Sequence, residues 1–260
     1  MHTRTKKLIL FLTVFCCLPI NTFSQNAYSV DAQKDILIGT LSLAAGISPF
    51  FIKNEPENTP AALDKNTVNL IDRHLMFSRS KPLDTISDYG GYGLTLLPLM
   101  CVIPNIKSSH TLLTYSIMYG EAVLLTYGTV SSLKNAIIRY RPYMYTGGVP
   151  AGKEKDYYNS FPSGSTSLAF LGATFFSVTY SREFPESEWR LPLIIGSYAL
   201  ASTVGSLRIA SGSHFLTDVV TGAALGSLYG WLVPRLHQKP HAQNYALIPT
   251  GNGLIVSLQF

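Results

Sequence analysis

Six apolar blocks, at residues 35–52, 89–104, 110–133, 165–180, 191–207 and 217–233, decide what this chain can fold into. Each is close in length to the roughly 20 residues that a helix needs to cross the hydrocarbon of a bilayer, with about 17 as a lower bound. Hydrophobic residues make up 47% of the 260 and charged residues 13%, where soluble domains carry about 25% charged residues. The pattern predicts an all-α, membrane-embedded bundle of about five to six helices. Between the first two blocks lies a polar stretch, 53–88, in which Asn66 to Phe77 is amphipathic. That segment is expected to lie as an interfacial helix on the membrane surface, or as a lid.

Residues 1–24 read as a secretory signal. Arg4, Lys6 and Lys7 precede an apolar run from Leu8 to Leu18, followed by Pro19 and small or polar residues up to Ser24. An uncleaved anchor is the alternative, and either form implies export. Removing those three cations from the net charge of +5 leaves +2, too little to argue for a nucleic-acid partner. Cys16 and Cys17 fall in the same segment, so Cys101 stands alone and no disulfide is expected in the mature chain. The predicted organisation is a signal peptide at 1–24, a membrane domain at 25–240 and a tail at 241–260, where Leu254 to Phe260 alternates weakly like a strand. Arg235 and Lys239 follow the last block and assign that end to the cytoplasm. Counting back sets the segments near 134–141, 163–166 and 208–218 together on the outer side. The same count gives 35–52 the wrong parity for a span, so it is expected to enter the bilayer without crossing. The expected location is the bacterial envelope, in the inner membrane with the polar segments facing the periplasm.

Those three segments carry the chemistry. Lys134 and Arg141 are seven residues apart, nearly two helical turns, which predicts both on one helix face with Pro142 ending the helix. Snorkelling at a membrane boundary would account for either cation, and best for Arg139. Pro162-Ser163-Gly164-Ser165-Thr166 forms a turn opening the next block, where free helix N–H groups can bind an anion; an ordinary Ser/Thr cap is the plainer account. His214 and Asp218 are four apart and Arg208 lies six residues before His214. A carboxylate one turn away can fix an imidazole tautomer, and a guanidinium can grip a phosphate. One histidine and one carboxylate among several cations make a poor metal site, so neither metal nor other cofactor is expected. Glu121, about 13 residues before Lys134 and so roughly 20 Å along a helix, is expected to be an interhelical contact and not a base.

Read together, Lys134-x6-Arg141-Pro142, Pro162-Ser163-Gly164-Ser165 and Arg208-x5-His214-x3-Asp218 resemble the type 2 phosphatidic acid phosphatase family, kin to vanadium haloperoxidases and bacterial class A acid phosphatases. The resemblance covers about 66–233. It implies that Lys134, Arg141 and Arg208 hold a phosphate with Ser163 and Gly164 donating hydrogen bonds. It further implies that His214 attacks phosphorus, Asp218 orients it, and no metal takes part. Two positions depart from the family pattern. Leu207 replaces a serine, and Ser165 replaces the histidine that protonates the leaving group, a contribution of about 10²–10⁴-fold. His74 is one candidate replacement; a good leaving group, as in a pyrophosphate or glycosyl phosphate, is another. The implied activity is hydrolysis of an envelope lipid's phosphomonoester or pyrophosphate, with lipid A phosphate and undecaprenyl pyrophosphate leading. The expected partners are that lipid phosphate and membrane lipids. A catalytically impaired lipid-phosphate binder and a phosphatase of small soluble esters are the alternatives.

Overall fold

A computed structural model describes residues 27–56, 63–102, 109–147, 156–239, 245–250 and 253–258; the expected signal peptide lies outside them. The described helices are α1 (Ala32–Ile47), α2 (Leu70–His74), α3 (Lys81–Leu94), α4 (Leu99–Val102), α5 (Ser109–Ala136), α6 (Gly164–Glu183), α7 (Arg190–Ala210) and α8 (Leu216–Leu236). Six of these have 14 residues or more, and five of the six, all but α3, coincide with the predicted apolar blocks. The tail adds an antiparallel hairpin, β1 (Tyr245–Thr250) with β2 (Gly253–Leu258).

Helix α6 is the hub and packs against α8, α7, α3 and α5. Its Leu171, Phe175, Phe176, Tyr180 and Phe184 form one core with Tyr115, Met118 and Ala122 of α5 and Val233 of α8. The polar residues of α6 do not spoil this burial. The hydroxyls of Ser177 and Thr179 donate to carbonyls four residues back, at 2.7 Å each. On α8, Gly222, Gly226 and Gly230 recur every fourth residue and so share one face. A methyl group added to each would come within 2.5, 2.1 and 2.9 Å of the carbonyl oxygens of Ser163, Ser167 and Leu171. Bare backbone therefore lets α8 lie directly on α6.

The outward faces are apolar as well. Ile36, Leu37 and Leu41 of α1, Leu191 and Ile195 of α7, and Val220 and Trp231 of α8 are all exposed. Among the described residues, α7 and α8 are long and apolar enough to cross a bilayer. Helix α1, at 16 residues, rises about 24 Å and falls short of a 30 Å core.

Three expectations change. Block 89–104 is not one helix: α3 ends at Leu94 and a turn separates it from α4, because Pro98 lacks an N–H and restrains the residue before it. The Asn66–Phe77 segment holds only a 3₁₀ turn and the five residues of α2; the longer helix on that side is α3. Helix α5 ends at Ala136, so Arg141 is not on it. Pro142 restricts Arg141 to extended backbone, with φ −75° and ψ 154°.

Candidate active site

The three chemical segments meet at one end of the bundle. Lys134, Arg141, Gly164, Ser165, Arg208 and His214 line a cavity of about 290 Å³, joined by Asp88 and Asp156. Lys134 arrives from the last turn of α5 and donates to the Asn159 carbonyl at 2.7 Å. Arg141 arrives from the loop. Its backbone N–H bonds the Tyr157 carbonyl, and its guanidinium is held by the Asp156 carbonyl and carboxylate at 2.8 and 2.7 Å. Arg208 closes the site from the last turn of α7. Its Nη1 donates to Asp84 at 2.9 Å and Asp88 at 2.7 Å on α3, while its buried Nε has no partner among the described residues. An N–H in that condition is available to an anion.

His214 sits at the turn between α7 and α8 and is 1% exposed. Gly212 makes that turn possible: its φ is +68°, and a side chain there would strike the Phe77 carbonyl. The His214 Nδ1–H donates to the Ser160 carbonyl at 2.7 Å. That bond leaves the lone pair on Nε2, where Arg141 Nη1 donates at 3.1 Å. Burial first, and then the charges of Arg141, Arg208 and Lys134, hold the imidazole well below its usual 6.5. It is a neutral base facing cations.

Asp218 stands one step behind. Its Oδ2 is 3.6 Å from His214 Nδ1, beyond hydrogen-bond range, and accepts instead from the Ser160 hydroxyl at 2.6 Å and the Phe215 N–H at 2.9 Å. The tautomer of His214 is thus set by Ser160, whose position Asp218 fixes. The other Asp218 oxygen takes Arg139. Arg139 also pairs with Asp72 at 2.6 Å and lies over the Phe215 ring at 4.6 Å, so it is no snorkelling cation but a brace for the α8 N-terminus. Asp72 completes that brace. Burial raises its carboxyl, but bonds from the Thr217 hydroxyl and N–H, Asn69 and Arg139 outweigh burial and hold it below the ordinary range.

Ser163, expected to donate to phosphate, precedes α6 outside the cavity lining; its hydroxyl meets Thr166 at 2.8 Å and its N–H bonds the Asp218 carbonyl. No side chain caps the α6 N-terminus, which leaves first-turn N–H groups beside the cavity at Gly164 and Ser165. Ser165 donates to Asp88 at 2.6 Å. His74 is exposed, bonds the Leu70 carbonyl of its own helix and is not among the cavity's lining residues. Glu121 lies at a contact of three elements, where His237 Nε2 is 3.4 Å from it and 2.6 Å from Asp35. Sequence reasoning missed Ser160, Arg139, Asp72 and Asp88.

Residues 115–242 match the family model of the PAP2 superfamily. The chain is 35% identical over 104 residues to the lipid A 1-phosphatase of Porphyromonas gingivalis, covering 38% of this chain and 22% of that protein. It is 33% identical over 129 residues to lipid phosphate phosphatase 1 of Arabidopsis thaliana, covering 41% and 39%. The matches thus span well under half of the length of these relatives. The crystal structure of Aquifex aeolicus LpxE aligns with a TM-score of 0.41 at 24% identity, over 63% of this chain and 92% of that one.

Proposed function

We propose, from a chain whose residues 115–242 match the PAP2 superfamily model, that this protein is a membrane-bound phosphatase removing phosphate from an envelope lipid. The observation that carries the reading is His214 Nε2, a lone pair facing Lys134, Arg141 and Arg208 across one cavity. A phosphate entering there takes the Arg141 donor away from Nε2 and frees the nucleophile. The Nε2 lone pair attacks phosphorus, the P–N bond forms, and the P–O bond to the lipid breaks with its electron pair leaving on oxygen. Water then attacks phosphorus, the P–N pair returns to Nε2, and inorganic phosphate departs. Three cations stabilise the charge that develops on the transferring group, so the scheme draws on no metal.

The apolar outer faces of α1, α7 and α8 support a bilayer setting, with the cavity on the periplasmic side of the inner membrane. With Ser165 where the family has its acid, esters with good leaving groups are favoured. Undecaprenyl pyrophosphate and lipid A 1-phosphate should be hydrolysed ahead of phosphatidic acid. The name of the Porphyromonas gingivalis relative supports the second of these. The test is phosphate release from those three lipids in detergent, with His214→Ala as control. Release that survives the substitution removes His214 from the mechanism, and a preference for phosphatidic acid overturns the leaving-group order. Binding without release from any lipid means a silent lipid-phosphate binder.

A further inference from the structure

We propose that Asp88, acting through the hydroxyl of Ser165, supplies the leaving-group proton in place of the absent histidine. The inference rests on the phosphatase reading above. Ser165 Oγ donates to Asp88 Oδ1 at 2.6 Å, and both residues line the cavity that holds His214. The approach of their helices is built in. A methyl group on Gly91, one turn after Asp88, would come within 2.7 Å of the Ser165 carbonyl, so only bare backbone lets α3 reach the start of α6. The Asp88 side chain is 37% exposed and also takes Arg208 at 2.7 Å. Solvent therefore reaches it, and Arg208 ties it to the phosphate-binding side of the cavity.

Phosphate binding changes this pairing. An incoming phosphate competes for Arg208, and the proton that a phosphate monoanion brings passes to the Asp88 carboxylate. Asp88 then passes its proton to Ser165 Oγ while Ser165 gives its own to the departing lipid oxygen. The P–O bond breaks as His214 Nε2 bonds phosphorus, and Asp88 is left as a carboxylate. In the second half, water attacks phosphorus and gives a proton through the same hydroxyl to Asp88. Phosphate leaves, His214 is neutral, and Asp88 is protonated again. Good leaving groups need less of this proton than alkoxides do, so they still depart ahead of them.

Asp88→Asn and Ser165→Ala are tested on p-nitrophenyl phosphate, whose leaving group needs little acid, and on dodecyl phosphate, whose leaving group needs much. Each variant should lose about 10²-fold or more in kcat on the alkyl ester, with KM moving far less. On the aryl ester the loss should stay under about tenfold. Asp88→Asn with Ser165→His should recover alkyl turnover. Equal losses on both esters, or a change confined to KM, would mean that Asp88 only positions Arg208 and would overturn the relay. Wild-type protein that cleaves neither these esters nor the lipids overturns the phosphatase reading itself, and the relay with it.

Discussion

His214 is held neutral by its surroundings before any ligand arrives, and this fixes the sign of a pH effect. A nucleophilic imidazole must be unprotonated, and burial with three neighbouring cations depresses its affinity for a proton. The acidic limb of kcat/KM, which reports the free enzyme, is therefore expected below pH 6.5. A pH–rate profile on p-nitrophenyl phosphate measures it, and an acidic limb above 6.5 would contradict the site described. At this scale the motif residues were legible because their chemistry and spacing sit within a few positions of one another. Ser160, Arg139 and Asp72 were not. Asp72 meets Thr217 across 145 residues of sequence and His214 meets Ser160 across 54, so only closure of the fold turns an ordinary aspartate and serine into the frame of a nucleophile. Asp88 was hidden for the same reason, 77 residues from Ser165.

Helices behave differently from residues, because their signal is local. The blocks at 165–180, 191–207 and 217–233 became α6, α7 and α8. The spacing of Lys134 and Arg141 misled, since a seven-residue interval matches two turns whether or not the helix continues, and α5 stops at Ala136. Hydropathy also says little about how closely two apolar helices approach; the glycines of α8 decide that. Gly226→Ala sets a methyl group against the Ser167 carbonyl and the Leu171 N–H, backbone atoms that cannot swing aside. The helices must separate, at a cost of about 1–3 kcal/mol, and α8 carries Asp218 with it. A lower thermal midpoint together with reduced phosphate release is expected, and an unchanged midpoint would show that the interface yields.

Across the whole molecule, polar work is divided between two ends. One end holds the cation-lined cavity around His214. About 30 Å along α8, His237 meets Asp35 of α1 and Glu121 of α5, all three largely buried, so Glu121 is the interhelical contact its mid-block position suggested. His237→Gln takes the imidazole Nε2 away from two facing acids and should cost about 1–3 kcal/mol. Chemical unfolding in detergent measures the loss, while KM for substrate should stay unchanged because the cavity is remote. Beside this cluster, Ser29 N–H bonds the His237 carbonyl and Lys239 N–H bonds the Ala27 carbonyl, at 3.0 and 2.9 Å. The segments on either side of the bundle's helices thus close it into a ring whose seam lies away from the His214 cavity. A ring can be opened elsewhere and rejoined at its seam without rerouting any helix. Evolution or an engineer could therefore recut the helical order at this seam, or attach cargo there, and leave the His214 cavity undisturbed.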